Sequence, residues 1–554
     1  IAVIASDGDL AVTELFSLTL SPANDAVDDV ASVNEDQTVQ IVVRDNDIDS
    51  PKPILSQIAG QIVMIGDTVT LSSGALVTLN ADGTVTYDPN DRFNTLISPA
   101  MAAVMGGYNF VDDDTFIYTL GNGDTASVTV TVNGVQSPED IIRDDAGNNS
   151  VSGNDDQQIV DLSLGGNDTV NLGGGNDALL YILGGFGGDI VNAGEGAQDQ
   201  LGLQGDFGQI DLADYTNFEE VIFFSGSVRR FGAPGDQDYD YSVIVRDSSV
   251  AVDGILKVSG NHLGANETMT VDGSSLTTGA ILTFGGRGRD HVTGGQLDDG
   301  FYFGIGNFGP DDIVNGGAGE LDTLGLQGDF SAGLTFGGAQ LVGIEIIALL
   351  GSAVKRFGGA GADEAFGYDL TMHDGNVAAG ERMAIAAARL ESDEALVFDG
   401  SAESDGSFLI TSGAADDTLI GSMGDDVIRS RGGNDSLTGG FGADSLSGGL
   451  GADIFVYLDV NDSVLGSADQ ILDFGEDDLI DLSALDAIFG GDDDQFSFIA
   501  EAAFSGTAGE LRATNTSGND WLIEADIDGD GVADIVIGVT TTTDFQITES
   551  DFAL

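Results

Sequence analysis

The residues best suited to chemistry are five aspartates that recur every nine positions: Asp417, Asp426, Asp435, Asp444 and Asp453. Glycines precede them in the turns, and glycine permits a positive φ that exposes backbone carbonyls. Each aspartate adds a carboxylate to those carbonyls, and oxygen ligands of this kind suit Ca²⁺. A large apolar residue stands two positions after each aspartate and predicts a thin core: Leu419, Ile428, Leu437, Leu446 and Phe455. The spacing therefore predicts a ladder of calcium sites.

The predicted metal set includes turn glycines of this segment: Gly432, Gly440, Gly442, Gly449 and Gly451. Weaker copies of the pattern lie earlier in the chain and add further aspartates to the set: Asp168, Asp177, Asp189, Asp290 and Asp312. Asp299 follows Gln296-Leu297-Asp298 without the expected glycine, so it is left out. The alternative is a series of solvated acidic turns, which does not account for five repeats in register.

The composition excludes several classes of protein. The chain has 554 residues with 17 basic and 93 acidic side chains, a formal net charge of −76. The charge disfavours nucleic acid and anionic membranes as partners because phosphate binding needs clustered Lys and Arg. Hydrophobic residues make up 42% of the chain, too many for a disordered acidic tail, and the absence of cysteine excludes disulfides. The sequence contains no run of about 18 apolar residues, so it predicts no membrane-spanning helix.

Motifs for catalysis are missing from the sequence. The three histidines form no His-Glu-x-x-His zinc motif, and neither a Gly-x-Ser-x-Gly elbow nor a Walker-type loop occurs. Pairs of carboxylates suited to glycoside hydrolysis are inevitable among 93 acids and carry little weight. We therefore expect no enzymatic activity from this chain.

The nonapeptide repeat resembles the repeats-in-toxin (RTX) family of secreted calcium-binding proteins. Ala468 to Phe474 and Asp478 to Asp486 resemble the C-terminal domain of serralysin-type proteins. Asp551 to Leu554 resembles the acidic-then-apolar tail that type I secretion systems read. These resemblances imply a parallel β-roll, several Ca²⁺ ions, and secretion to the extracellular space or cell surface. Asp526 to Asp534 fits the opening of an EF-hand loop without its terminal Glu, which favours a hairpin turn that can still hold an ion.

The N-terminal part of the chain alternates β-branched residues with polar turns. Five or six such runs between residues 24 and 137 predict a β-sandwich. Asp28-Asp29, Asn34 to Asp36 and Gly83 to Pro89 resemble bacterial cadherin-like repeats, in which carboxylates near domain joints often bind calcium. The acidic run Asp45, Asp47 and Asp49 fits either such a site or an ordinary turn.

A duplication occupies the middle of the chain. Leu201 to Phe207 recurs as Leu324 to Phe330 at an offset of 123, and Asp272 to Ser274 recurs as Asp399 to Ser401 at an offset of 127. Basic pairs recur at matching places (Arg229-Arg230, Lys355-Arg356), where they either balance the local acid excess or contact an acidic subunit or polysaccharide. The pattern of Asn376 to Glu391 predicts one helix on the surface of the array.

The predicted fold class is all-β, with an Ig/cadherin-like β-sandwich followed by calcium-binding parallel β-roll or β-helix modules. The predicted divisions are the end of a preceding cadherin-like domain (1–23), a cadherin-like sandwich (24–137), two duplicated roll units (138–285 and 286–412), a regular roll (413–460) and a serralysin-type C-terminal domain with a secretion signal (461–554).

The predicted function is that of a calcium-dependent structural surface protein, such as an adhesin, a surface-layer protein or a filament component. It is expected to fold outside the cell, to self-assemble into a homo-oligomer and to contact cell-surface polysaccharide. The alternative is the export and anchoring tail of a secreted hydrolase whose catalytic domain lies upstream of residue 1.

Overall fold

The computed structural model describes residues 2–6, 11–15, 26–47, 52–90, 92–93, 111–134, 141–143, 145–153, 155, 157–228, 235, 237–354, 365–488, 490 and 494–554. The chain divides into two compact units, Ile1–Asp140 and Ile141–Leu554. The described residues form strands and turns, with one short 3₁₀ helix at Glu549–Asp551. The predicted all-β class is confirmed.

The first unit contains an antiparallel hairpin, Ala2–Ser6 with Ala11–Leu15, and a β-sandwich. One sheet of the sandwich has five strands in the order Asp29–Asn34, Thr125–Asn133, Val111–Leu120, Leu55–Ile58 and Gln61–Ile62. The other has four strands in the order Val39–Ile41, Val85–Asp88, Leu76–Leu79 and Thr68–Thr70. Val128, Val130 and Val132 are fully buried while the residues between them face outward, as the period of two requires.

The second unit is a solenoid of parallel strands. Its main sheet runs through Ile141–Arg143, Ile159–Asp161, Ala178–Ile182, Gln200–Gln204, Glu220–Phe223, Ile255–Ser259, Ala280–Phe284, Gly300–Phe303, Thr323–Gln327, Ile346–Leu350, Arg382–Ala386, Ser407–Thr411, Val427–Arg429, Ser445–Ser447 and Gln470–Phe474. It continues by pairing through Ile535–Thr541, Asp520–Asp526, Glu510–Ser517 and Ser497–Phe498, and so has 19 strands.

Three shorter parallel sheets carry the remaining strands of the solenoid. The first contains Ser150–Ser152, Thr169–Asn171, Ile190–Asn192 and Tyr215–Thr216. The second contains Gln209–Asp211, Tyr241–Ile244, Met269–Asp272, Asp290–Thr293, Ile313–Asn315 and Leu341–Val342. The third contains Phe330–Thr335, Tyr368–Thr371, Leu396–Asp399, Thr418–Ile420, Ser436–Thr438, Ile454–Val456, Leu479–Asp481 and Phe552–Ala553.

The apolar residue of each nonapeptide stacks on its counterpart one coil away. Leu419 pairs in register with Leu437, and Leu437 with Phe455, in the third short sheet. Ile428 pairs with Leu446 in the main sheet. All five side chains are buried, which is the thin core that the sequence predicts.

The predicted helix at Asn376 to Glu391 is wrong. Arg382–Ala386 is a strand of the main sheet, and it pairs with Ile346–Leu350 on one side and Ser407–Thr411 on the other. Met383 and Ile385 are buried in alternation with more exposed neighbours. The alanine-rich composition favours a helix locally, but stacking between two coils outweighs that preference.

The two copies of the duplication contribute equivalent strands to the same sheets. Gln200–Gln204 and Thr323–Gln327 both lie in the main sheet. No gap in the sheet separates the copies, and the domain divisions drawn from the sequence stay a prediction. The basic pairs Arg229-Arg230 and Lys355-Arg356 lie outside the described residues.

Candidate metal centre

An aspartate stands at the start of each strand in the regular roll, and these aspartates form two rows. In the first row the backbone N–H of Asp417 donates to Oδ1 of Asp435 (2.8 Å), and that of Asp435 donates to Oδ1 of Asp453 (2.9 Å). The row ends at Asp478, whose Oδ1 accepts from the N–H of Asp453 at 3.0 Å. Parallel stacking creates this ladder because it places residues 18 or 25 apart on neighbouring coils.

The second row lies along the start of the main-sheet strands. The N–H of Asp426 donates to Oδ1 of Asp444 (2.8 Å), and the N–H of Asp444 donates to Oδ1 of Asp469 (2.9 Å). All three side chains are buried. The predicted aspartates of the roll therefore come together in two rows.

One carboxylate oxygen is left without a partner at the inner positions of these rows. Oδ2 of Asp435, Asp444, Asp453 and Asp469 is buried and accepts no hydrogen bond. A buried ionised oxygen without a partner is costly unless a cation compensates it. The unpaired oxygens thus fit Ca²⁺, a hard cation that takes oxygen ligands.

The backbone leaves no room for a side chain beside these oxygens. A Cβ atom on Gly439 would lie 2.2 Å from Oδ2 of Asp444, and one on Gly448 would lie 2.3 Å from Oδ2 of Asp453. At Gly442 and Gly451 φ is +129° and +145°, a region that side chains rarely adopt. Glycine therefore lets the turn backbone approach the carboxylate closely.

The remaining predicted glycines divide into two groups. Gly440 and Gly449 have φ of +97° and +92°, and both lie close to a carbonyl of the preceding turn. Gly432 does not occupy the equivalent place, since Gly433 has φ of +125° and takes the position of Gly442 and Gly451. The role of Gly432 as a metal ligand stays a prediction, and the two adjacent glycines do not show from the sequence alone which of them takes the turn position.

Burial raises the pKa of the inner carboxyls. The pKa of Asp444 rises to about 9 through burial first and the charge of Asp469 second. Burial likewise raises the pKa of Asp453 to about 7 and that of Asp435 to about 6. Without a cation these sites favour the protonated form at a pH where aspartate is otherwise ionised.

The first duplicated unit contains two shorter rows. The N–H of Asp168 donates to Oδ1 of Asp189 (2.8 Å), and the N–H of Asp177 donates to Oδ1 of Asp199 (2.7 Å). Oδ2 of Asp168, Asp177 and Asp199 is buried without a partner. Asp189 differs because the Tyr181 hydroxyl donates to its Oδ2 at 2.5 Å.

The second duplicated unit has the same arrangement. The N–H of Asp290 donates to Oδ1 of Asp312 (2.7 Å), and the N–H of Asp299 donates to Oδ1 of Asp322 (2.6 Å). Oδ1 of Asp290 and Oδ2 of Asp322 are buried without a partner. Both oxygens of Asp299 accept from backbone N–H groups, those of Ile281 and Gly295.

Sequence reasoning missed five aspartates of the rows: Asp199, Asp299, Asp322, Asp469 and Asp478. Asp199 and Asp322 are equivalent at the offset of 123 and stand just before the repeated Leu-Gly-Leu-Gln, so the duplication carried a usable signal. Asp469 and Asp478 follow Asp444 and Asp453 by 25 residues rather than 18. That longer loop hides their register in the sequence.

Glutamates at equivalent places in the two copies are satisfied by the backbone alone. Oε1 of Glu267 accepts from the N–H groups of Gly226 (2.7 Å) and Tyr239 (3.1 Å), and its Oε2 accepts from that of Gly264 (2.7 Å). Glu394 has three equivalent donors, and despite burial its pKa is lowered by these hydrogen bonds. No cation is needed at either glutamate.

The loop at Asp526 to Asp534 joins two antiparallel strands, as the hairpin prediction requires. One oxygen each from Asp526, Asp528 and Asp534 lies within 4.8 Å of the others. Both oxygens of Asp526 accept backbone hydrogen bonds, from Gly529 (2.7 Å) and Gly531 (2.9 Å). This turn is therefore held closed by its own backbone.

In the sandwich the acidic run divides between two environments. Asp45 lies in an exposed turn with its Oδ1 3.6 Å from Nζ of Lys52, an ordinary surface ion pair. Asp47 is buried, and the pKa of Asp29 is raised to about 6 by the burial of Asp29 first and by the charge of Asp47 second. Asp49 lies outside the described residues.

Comparison with known families agrees with these features. Residues 396–554 match the family described as peptidase M10 serralysin C terminal, and residues 21–134 match the bacterial Ig domain. Residues 163–179 match the family described as RTX calcium-binding nonapeptide repeat (4 copies). None of these three descriptions is that of a catalytic domain, and no curated protein matches the chain.

These matches confirm the calcium and secretion predictions. The RTX repeats bind several Ca²⁺ ions, and together with the serralysin-type domain they indicate an extracellular protein secreted by the type I route. Among the described residues, no helix has the length and apolarity needed to cross a membrane. The chain thus contains an Ig-like domain, RTX calcium-binding repeats and, at its C-terminal end, a serralysin-type domain.

Proposed function

We propose that this chain is a calcium-dependent structural protein of the cell surface, of the adhesin, surface-layer or filament kind, that folds and self-assembles outside the cell. The observation that carries the proposal is the set of buried carboxylate oxygens without hydrogen-bond donors in the solenoid. They recur along the array rather than converging on one pocket, which is the pattern of a structural requirement.

The ladder links folding to the calcium level of the compartment. When bound, Ca²⁺ supplies the positive charge and coordination that the unpaired oxygens lack. Each site held at about 100 times its Kd adds about 2.7 kcal/mol to the free energy of unfolding. Where calcium is scarce, the buried carboxylates of Asp444, Asp453 and Asp469 oppose folding.

The C-terminal tail supports an order of events in which export precedes folding. Phe552–Ala553 pairs with Ile480 and Asp481 as the last strand of the third short sheet, and the Phe552 side chain is buried. The tail that resembles a secretion signal is accessible in the unfolded chain, whereas in the folded chain its Phe552 is buried and its other residues are half-buried. Calcium outside the cell then favours the folded form after release.

The proposed self-assembly follows from the charge of the array. A net charge of −76 makes copies repel each other unless cations lie between them. Divalent cations shared between the acidic faces of two copies turn that repulsion into attraction. Cell-surface polysaccharide is proposed as a further partner of the protein.

Light scattering on a sizing column tests the proposal with residues 1–554 in millimolar calcium and then in chelator. We expect large ordered species in calcium that collapse to expanded monomers in chelator. A compact monomer in calcium would overturn self-assembly, and a chain that stays compact in chelator would overturn calcium-dependent folding.

A second candidate is the export and anchoring tail of a secreted hydrolase. One observation favours it, because the match over residues 396–554 is to the C-terminal part of a peptidase family. The gene sequence upstream of Ile1 separates the two: a catalytic domain there supports the hydrolase tail, and further Ig-like repeats support the structural protein.

A further inference from the structure

We propose a calcium site outside the nonapeptide rows, formed by Asp374, Glu403 and Asp405. One carboxylate oxygen of each residue lies within 4.8 Å of the others. Ca²⁺ binds oxygens at about 2.3–2.6 Å, so two ligands on opposite sides of one ion lie up to about 5 Å apart. The three carboxylates are therefore spaced as ligands of a single ion.

Glu403 carries the argument because it is completely buried. Its Oε1 accepts hydrogen bonds from the N–H groups of Asp405 (3.1 Å) and Gly406 (2.9 Å). Its Oε2 is also buried and accepts none. Such an oxygen is costly to leave ionised in the interior, and a cation held by the three carboxylates would compensate its charge.

Asp374 and Asp405 provide the entrance, since both are exposed. Oδ1 of Asp374 accepts from the N–H of Ser404 (3.0 Å) and from its hydroxyl (2.5 Å). These hydrogen bonds hold the pKa of Asp374 below its ordinary value, so this carboxylate is charged at neutral pH. An ion reaching the site from solvent meets a charged and oriented ligand.

The first copy of the duplication shows the same loops without the site. At an offset of 127, Asp247, Leu276 and Thr278 stand where the second copy has Asp374, Glu403 and Asp405. Oδ1 of Asp247 accepts from the N–H groups of Thr277 (2.7 Å) and Thr278 (3.2 Å), and its Oδ2 accepts from the Thr277 hydroxyl (2.7 Å).

Leu276 is fully buried where Glu403 lies in the second copy. The loop thus folds with an apolar side chain and needs no glutamate for its conformation. A buried glutamate with a free oxygen is the costlier choice, and cation binding supplies the reason for it.

The test counts bound calcium on the full chain by equilibrium dialysis and native mass spectrometry. We expect the double variant Asp374→Asn/Asp405→Thr to bind one ion fewer than the parent. The matched variant Asp247→Asn in the first copy is expected to bind the parental number. Equal ion counts in all three proteins would overturn the site.

Two further variants separate loss of the site from loss of the fold. Glu403→Leu copies the first unit and should lose one ion while near-ultraviolet circular dichroism in calcium stays parental. The reciprocal Leu276→Glu/Thr278→Asp should gain one ion. A parental count in both variants would contradict the proposal, and none of these outcomes depends on self-assembly.

Discussion

The regular roll and the duplicated stretch before it stabilise the same kind of coil by different means. In the roll, ladder partners lie 18 residues apart and the core consists of Leu, Ile and Phe stacked one per turn. In the duplicated stretch, paired aspartates lie 21 to 23 residues apart, and the coils enclose large buried aromatics such as Tyr181, Phe223, Tyr241 and Phe301.

The buried carboxylates of the two regions also differ in how their charge is compensated. Between Asp435 and Asp469 the roll concentrates four side chains with an unpaired buried oxygen. In the duplicated stretch, the side chains with an unpaired buried oxygen lie farther apart along the chain. The same stretch contains Glu267 and Glu394, each of which accepts hydrogen bonds from three backbone N–H groups. A narrow coil has little apolar surface to bury, so it depends on cations, whereas a wide coil depends more on its core.

Removing calcium gives the largest expected effect. In chelator, amides of the roll between Asp417 and Val456 should lose hydrogen-exchange protection by about 100-fold for each site that is emptied. The amides that donate to Glu267, those of Gly226, Tyr239 and Gly264, should lose much less. Equal losses in both regions, measured by exchange mass spectrometry, would break the comparison.

Acid should partly replace calcium in the roll. Burial raises the pKa of Asp435 to about 6 and that of Asp453 to about 7, above the ordinary 3.8. Because the folded-state pKa is the higher one, the protonated form favours folding, and that stability is lost as the pH rises through about 6 to 7.

Circular dichroism measures this dependence. In chelator, the roll should be more folded at pH 5 than at pH 8, by on the order of 1 kcal/mol for each carboxyl. In saturating calcium the sign should reverse or vanish, because protons then compete with the ion. A calcium-free protein that becomes more stable from pH 5 to pH 8 would refute the role of these carboxyls.

A single substitution in the second row should have opposite effects on stability with and without calcium. Asp444→Asn is expected to lower the free energy of unfolding in calcium by about 2.7 kcal/mol, the contribution of one well-saturated site. In chelator at neutral pH the substitution should instead raise the free energy of unfolding, since burial and Asp469 raise the pKa of Asp444 to about 9, folding must therefore protonate this carboxyl, and the uncharged Asn removes that cost.

The exposed neighbour Asp425 provides the control for thermal unfolding. Asp425→Asn should leave stability nearly unchanged in both conditions. If the two variants behave alike in calcium, Asp444 is not part of a metal site.

The smallest expected effect concerns a carboxylate that the backbone satisfies. Glu394→Gln should cost about 1–2 kcal/mol by weakening charge-assisted hydrogen bonds, and the loss should be the same in calcium and in chelator. The exposed Glu391→Gln serves as its control. A loss of stability that appears only in calcium would place Glu394 among the metal ligands. The two regions would then no longer differ in how their buried carboxylates are compensated.

Much of the fold was predictable because the repeat is local. The spacing of Asp417 to Asp453, the glycines before them and the apolar residue after each define the turn, the strand and its inward face within nine residues. The strands of the sandwich were equally clear, since their alternation has a period of two. The helix expected at Asn376 to Glu391 was wrong because the alanine-rich composition favours a helix only locally, whereas stacking between coils decided the conformation.

By itself, the sequence determined the oxygen-rich ligand type, the nonapeptide register and the all-β class. Only the tertiary structure decided which oxygen of each carboxylate has a donor, since the donors lie 18 to 25 residues away on a neighbouring coil. It also brought Asp374 beside Glu403 across two loops, a proximity that spacing along the chain does not express. The physical reason is that stacking of parallel coils, rather than local preference, sets which polar groups meet in the interior.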